Sequence, residues 1–310
     1  MCHFFITILS IPFSQYHSLK IITALDLCII RALYCKRKID RVHMTKIGIL
    51  GANGRMGRVL IDACYQHTDV ALGFASVRKG SSFIGVDAGE VAGIAKQYIK
   101  VCESELQPTD IADVIIDFTL PQALEANLAW CIANDRAIVI GTTGLSPMQL
   151  ALIDDAAKSI PIVFAANYSV GVNLLLSLVR QTSAVMGQYA DIEIVEAHHR
   201  FKKDAPSGTA VAIGEVIADE LGRDLNKCAV YGREGHTGER DQNTIGFCTI
   251  RAGDIVGEHT AVFATIGERI ELTHKASSRL TFANGALTAA IWVKGKVPGL
   301  YSMQQVLDLQ

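Results

Sequence analysis

No Cys-x-x-Cys pair occurs anywhere in the sequence, although it holds eight cysteines, three of which (Cys2, Cys28 and Cys35) fall in the first segment. Thiols scattered in this way read as reduced cysteines of a cytoplasmic protein. No stretch approaches the ~20 uninterrupted apolar residues of a spanning helix, which excludes a membrane protein of that kind. Net charge is missing too: 29 Lys and Arg against 31 Asp and Glu leave −2, no electrostatic footprint for a nucleic-acid partner. Internal repeats and low-complexity tracts are absent. What remains is a chain of 310 residues, half of them apolar, long enough for one large or two modest domains.

Residues 1–43 stand apart. They are rich in Ile, Leu, Phe and Cys and turn basic toward their end. They lack the basic start and the small-residue cleavage site of a signal peptide. The next methionine, Met44, opens MTKIGILGANGRMG, the ordinary start of an α/β enzyme. The first segment is therefore expected to be an upstream region translated from a misassigned start or a disordered extension, with an organelle transit peptide as a third reading.

From Met44 the pattern is strand, glycine turn, helix. Lys46–Leu50 is a short apolar run, Gly51-Ala52-Asn53-Gly54-Arg55-Met56-Gly57 follows, and RVLIDACYQH has helical spacing. This G-x-x-G-x-x-G is a variant of the dinucleotide fingerprint. One glycine allows a tight turn, one lets backbone approach a pyrophosphate, and one lets helix and strand pack closely. Asp69–Ala75 reads as the second strand. Where the fingerprint expects an acid for the adenosine ribose, the chain has Ser76, Val77, Arg78 and Lys79, and an arginine there accommodates a 2′-phosphate. NADPH is expected as the preferred cofactor, with NADH possible. Further strands are expected at Val114–Phe118, Ala137–Ile140 and Ile162–Phe164, with LPQALEANLAWCIAND as a crossover helix. The loops at their carboxyl ends, Gly141-Thr142-Thr143 and Ala165-Ala166-Asn167-Tyr168, are placed to line the nicotinamide side.

Past Val170 a helix, VGVNLLLSLVRQTSAVMG, leads into IEIVEAHHRFKKDAPSGT at 192–209. Ile192, Ile194 and Ala197 alternate with Glu193 and Glu196 as a strand that delivers His198 and His199 at its exit. AVAIGEVIADELG then reads as an amphipathic helix, so Ser207, Gly208 and Thr209 stand at a helix start, where free N–H groups cradle a carboxylate or phosphate. Neighbouring strand residues face opposite sides, so His198 and His199 do not share an ion and no metal site is expected. An acid or base pair is the sharper reading. TIGFCTIRAG, GEHTAVFATIG and ERIELTHKA are expected as a run of antiparallel strands whose sheet is covered by oligomerisation. His236, His259 and His274 read as ordinary polar positions. Ser278–Ala290 returns to helical spacing and is expected to pack back on the first domain.

GANGRMG at 51–57, IDFT at 116–119, GTTG at 141–144, FAANYSVGVN at 164–173, EAHHRFKKDAPSGTA at 196–210 and REGHTGER at 233–240 together resemble the 4-hydroxy-tetrahydrodipicolinate reductase family, from Met44 to the end. The resemblance implies an α/β fold: a Rossmann-like dinucleotide-binding domain (44–169 and 279–310) plus an α+β substrate-binding and oligomerisation domain (170–278) with a mixed, largely antiparallel sheet. It implies hydride transfer from a reduced nicotinamide nucleotide to C4 of a cyclic dicarboxylate, with loss of water. His198 and Lys202 are then the acid/base pair, and His199, Ser207, Gly208 and Thr209 hold a substrate carboxylate. The cofactor falls to the loops at 51–57, 141–143 and 165–168, and a homotetramer is implied. Val77 departs from the family pattern, which often has an acidic ribose ligand there. The rival readings are another NADPH-dependent dehydrogenase of similar plan and a non-catalytic NADPH sensor.

Overall fold

The computed structural model describes residues 44–104, 108 and 111–309, and the readings made of 1–43 lie outside the described residues. Two sheets organise the chain. The first takes β1 (Thr45–Leu50), β2 (Val70–Val77), β3 (Cys102–Glu103), β4 (Val114–Asp117), β5 (Ala137–Ile140) and β6 (Pro161–Phe164). The second takes β7 (Asp191–His198), β8 (Ala229–Val230), β9 (Ile245–Arg251), β10 (Gly257–Ala264) and β11 (Arg269–Ala276), after which β12 (Gly299–Tyr301) rejoins the first.

The first sheet has the order β12-β6-β5-β4-β1-β2-β3, and every pair within it is parallel. Its strands are apolar on both faces because helices cover both. Ile47, Ile49, Val114 and Ile116 pack under α1 (Arg55–Gln66) and the late helix Leu280–Val293. Ile115, Ile138 and Ile162 face the other way, against α2 (Leu124–Ala133) and α3 (Pro147–Ala156). The chain reverses its direction of winding between β1 and β4, and their carboxyl ends open the crevice where such sheets bind ligands. β2 runs two residues beyond the expected Ala75, so Val77 is still strand and Arg78 lies just past it.

α4 (Val170–Met186) and α5 (Gly208–Glu220) cover one side of the second sheet, burying Leu175, Val179, Ile213 and Ile217 on Ile192, Ile194, Phe247 and Phe263. Each helix begins at a serine: Ser169 Oγ accepts the Val172 N–H and Ser207 Oγ the Ala210 N–H. The sheet is mixed, as expected, but its pairing differs from a simple antiparallel run. β10 does pair antiparallel with β11 and β7, whereas β9 leaves β10 and lies parallel to β7. The cause is α5: a helical crossover returns the chain to the edge it left in the same direction.

The helix Leu280–Val293, α6, comes back to the first sheet, as its spacing suggests. α3 carries a local start signal: Ser146 and Gln149 form a reciprocal capping box with Pro147 at the first helical position. Among the described residues, no helix is long and apolar enough to cross a membrane.

Gly57 sits where α1 crosses the turn after β1, and a Cβ there would overlap the Gly51 carbonyl and lie 2.7 Å from Ala52 Cα. Both obstacles are backbone and cannot swing away. Gly57→Ala is expected to lower unfolding stability by about 1–3 kcal/mol, read as a drop in Tm, and an unchanged Tm would contradict this packing.

Candidate active site

At the mouth of the first sheet the turn after β1 is built to take an anion. Gly51 has φ +68°, a left-handed conformation that L side chains rarely adopt, and Gly54 caps α1 with no side chain in the way. No side chain takes the first N–H groups of α1, which are open to a phosphate, whereas at α4 and α5 the cap serine takes one N–H, that of Val172 or Ala210. Asn53, Gly54, Arg55 and Met56 are at least partly exposed there, while Ala52 is buried and its N–H is taken by the Ser76 carbonyl.

Asp117, wholly buried at the end of β4, ties the neighbouring loops together. It accepts hydrogen bonds from the Thr119 N–H (2.8 Å) and hydroxyl (2.6 Å), from Asn127 Nδ2 (2.7 Å) and from the Thr142 hydroxyl (3.3 Å). Gly141 lies against the Phe118 ring, leaving no room for a Cβ, and Thr143 is exposed beside it. Ala165 and Ala166 follow β6 at the same edge. The Tyr168 ring is buried and its hydroxyl bonds the Ile140 and Val163 carbonyls at 2.8 and 2.9 Å, so this side chain pins β5 to β6 rather than facing a ligand. Arg78 is exposed past β2. Glu103, opposite Val77 on β3, stands 3.9 Å from Lys79, so a carboxylate does reach this edge, from a neighbouring strand. These residues fit a dinucleotide.

At the exit of β7 the chemistry gathers on Glu196, which is 1% exposed. Arg251 grips both its oxygens at 2.9 Å, the Ser207 N–H donates at 3.1 Å and His198 Nδ1 lies 2.6 Å away. Burial alone would raise the Glu196 pKa, but the hydrogen bonds from Arg251 and His198 outweigh it and hold the carboxyl below its ordinary value. An ionised carboxylate only accepts, so His198 Nδ1 carries the proton. Burial in turn pulls the His198 pKa down, against the opposing pull of Glu196, and the ring is neutral at pH 7 with Nε2 as an acceptor. Gly257 keeps that side open: a Cβ there would be 3.1 Å from Nε2. A pocket of about 50 Å³ lies beside it, lined by Asn167, Thr209, His259 and His274 among others.

Family models for dihydrodipicolinate reductase match the chain over nearly all its described length, the N-terminal model over residues 45–168 and the C-terminal model over 171–307. The chain belongs to the dihydrodipicolinate reductase family. A 4-hydroxy-tetrahydrodipicolinate reductase from Pseudoalteromonas atlantica is 68% identical over 266 residues, which is 86% of this chain and all of that one. Another from Hahella chejuensis is 60% identical over 267 residues with the same coverage. A solved structure, the dipicolinate-bound dihydrodipicolinate reductase from Paenisporosarcina sp. TG-14, shares the fold, with a TM-score of 0.64 at 23% identity over 84% of this chain and 98% of its own.

In this member of the dihydrodipicolinate reductase family, His198, Thr209 and Asn167 converge on this pocket, with Ser207 buried at the cap of α5, and Asn167 Nδ2 donates to Thr209 Oγ1 at 3.2 Å, linking the loop after β6 to the start of α5. Lys202 and His199 lie on the loop between, outside the pocket lining, and the Lys202 ammonium rests 2.7 Å from Asp204 on the surface. Two residues read as ordinary polar positions are central: His259 packs edge-on to His198 at 5.1 Å, and His274 pairs with His259 across the β10–β11 ladder. His236 is exposed. The missed signal was register, since β10 alternates buried and half-buried residues with His259 in the buried set.

Glu196→Gln leaves Arg251 with a neutral partner in a buried place, and is expected to cost about 3 kcal/mol at pH 7. Because the native pKa of Glu196 is lowered, its contribution is present above the unfolded value of ~4.3 and fades as pH falls through the native one. Denaturant titrations of wild type and variant should therefore converge below that pH, and parallel curves down to pH 3 would contradict the assignment.

Proposed function

We propose that the chain reduces 4-hydroxy-tetrahydrodipicolinate to tetrahydrodipicolinate, in the route to diaminopimelate and lysine, using a reduced nicotinamide nucleotide. The observation that carries this reading is 60–68% identity over the full length of relatives bearing that activity as their name, with His198, Lys202 and Ser207-Gly208-Thr209 all present. Residues 44–169 with 279–310 serve as the dinucleotide-binding domain and 170–278 as the substrate domain. The half-buried face of the second sheet, with Val195, Thr260 and Val262, is the surface through which a homotetramer would form. A cytoplasmic location belongs to the same reading.

The turn at 51–57 and the loops at 141–143 and 165–168 hold the cofactor, which when bound supplies a hydride to C4 of the substrate ring. The substrate carboxylate sits at the start of α5, on the Gly208 and Thr209 N–H groups, with the Ser207 and Thr209 hydroxyls and His199 beside it. Negative charge that builds on the conjugated ring is met by the Lys202 ammonium, which leaves Asp204 to donate a proton from Nζ. His198, its Nδ1–H fixed on Glu196, offers Nε2 as the matching acceptor. Arg78, exposed past β2, would meet a 2′-phosphate, which supports NADPH over NADH in this reading.

The test is loss of nicotinamide absorbance with the fresh condensation product of pyruvate and aspartate semialdehyde. Turnover is expected, with a lower KM for NADPH than for NADH. An equal or lower KM for NADH removes the role given to Arg78, and cofactor binding without consumption leaves a sensor. Lys202→Ala and His198→Ala should each lower kcat by roughly 10²-fold or more. Near wild-type kcat in both would refute their roles.

A further inference from the structure

Two histidines that the proposed chemistry does not use reach the pocket from one hairpin. His259 on β10 and His274 on β11 are directly paired, and each sets Nε2 against the cap serine of a helix. His259 lies 2.8 Å from Ser207 Oγ, and His274 3.4 Å from Ser169 Oγ. In both rings Nδ1 is buried with no hydrogen-bond partner. The closer contact falls on the hydroxyl at the carboxylate cradle, and His259 is only 4% exposed.

The protons at this contact can be counted. Ser207 Oγ already accepts the Ala210 N–H at 3.1 Å, so it has one further lone pair and one proton to place. Burial first, and then the neighbouring His198, lower the His259 pKa to about 4, so at pH 7 its ring carries a single proton. If that proton is on Nδ1, Ser207 must donate to Nε2, a buried N–H is stranded, and Ser207 has nothing left for a ligand. If it is on Nε2, the ring donates to Ser207 Oγ. The hydroxyl then accepts two hydrogen bonds and turns its own proton outward, to an anion at the start of α5. A charge-assisted O–H to carboxylate bond favours the second arrangement whenever the cradle is filled.

We propose that His259 is a positioning residue for the substrate carboxylate: as the Nε2–H tautomer it donates to Ser207 Oγ, so that the serine proton is delivered to the carboxylate. This rests on the reading of Ser207, Gly208 and Thr209 as the carboxylate cradle. His259 touches neither substrate nor cofactor in this role. It acts through Ser207 on ground-state binding, and its effect falls on substrate affinity rather than on the chemical step.

Glutamine and asparagine separate reach from bulk. The amide nitrogen of His259→Gln extends to the place of Nε2 and can still donate to Ser207, whereas that of His259→Asn stops at the place of Nδ1. His259→Asn and His259→Leu are expected to raise the substrate KM by about 10-fold or more, the scale of a lost hydrogen bond to a charged group. In both, kcat and the KM for NADPH should stay within about threefold of wild type, and His259→Gln should restore most of the loss. In a Ser207→Ala background His259→Leu should add nothing. Equal substrate KM values for the Gln and Asn variants, a full effect in the Ser207→Ala background, or a fall in kcat with KM unchanged would overturn the proposal. Calorimetric binding of pyridine-2,6-dicarboxylate to the same variants, with NADPH present, reads the effect without turnover. If the wild-type chain fails to turn over, the functional reading falls, and the calorimetric ratio of the Gln to the Asn variant still decides the role of His259.

Discussion

Glu196 is a carboxylate almost wholly removed from water, and five donors make that tolerable: two from Arg251 and one each from His198, the Ser207 backbone and Thr249. A charge buried this deeply is costly unless paired and hydrogen-bonded, so each donor is held where it is by the same demand. β7 presents the carboxylate, β9 the arginine, and the cap of α5 the backbone N–H. The imidazole is oriented as part of this satisfaction. Its tautomer and the direction of Nε2 follow from one buried negative charge, while its neutral state follows from burial, which outweighs the pull of that charge.

Asp117 solves the same problem on the other sheet without a cation. Two threonine hydroxyls, an asparagine amide and a backbone N–H surround it, and all come from the loop after β4, from α2 or from the loop after β5. These hydrogen bonds tie together the loops at the crevice above the first sheet. Two clusters thus frame the site, one fixing the loops that face a dinucleotide and one fixing a histidine. The Asn167 to Thr209 hydrogen bond crosses between the loop after β6 and the start of α5.

Much of this was legible in sequence because it is local. Gly51, Gly54 and Gly57 state a turn, Ser207-Gly208-Thr209 state a helix start, and apolar spacing marks β1, β4, β5 and α4 without reference to the rest of the chain. The parallel placement of β9 was not legible in that way, since strand propensity says nothing of partner, although a crossover helix between β7 and β9 implies it. His259 stayed hidden for a related reason. It meets Ser207 across 52 residues, and only the register of β10 on β7 brings it to that hydroxyl. The anchoring of Lys202 on Asp204 could be suspected from their spacing, but its distance from the pocket could not.

The most direct test of the account is the tautomeric state of His198 at pH 7, read by ¹⁵N–¹H correlation of the side-chain nitrogens in protein labelled at histidine. A neutral ring with the proton on Nδ1 and an unprotonated Nε2 is the predicted result, and in Glu196→Gln that preference should be lost. A neutral ring with its proton on Nε2 and none on Nδ1 in the wild-type protein would contradict the claim that the buried Glu196 carboxylate sets the site.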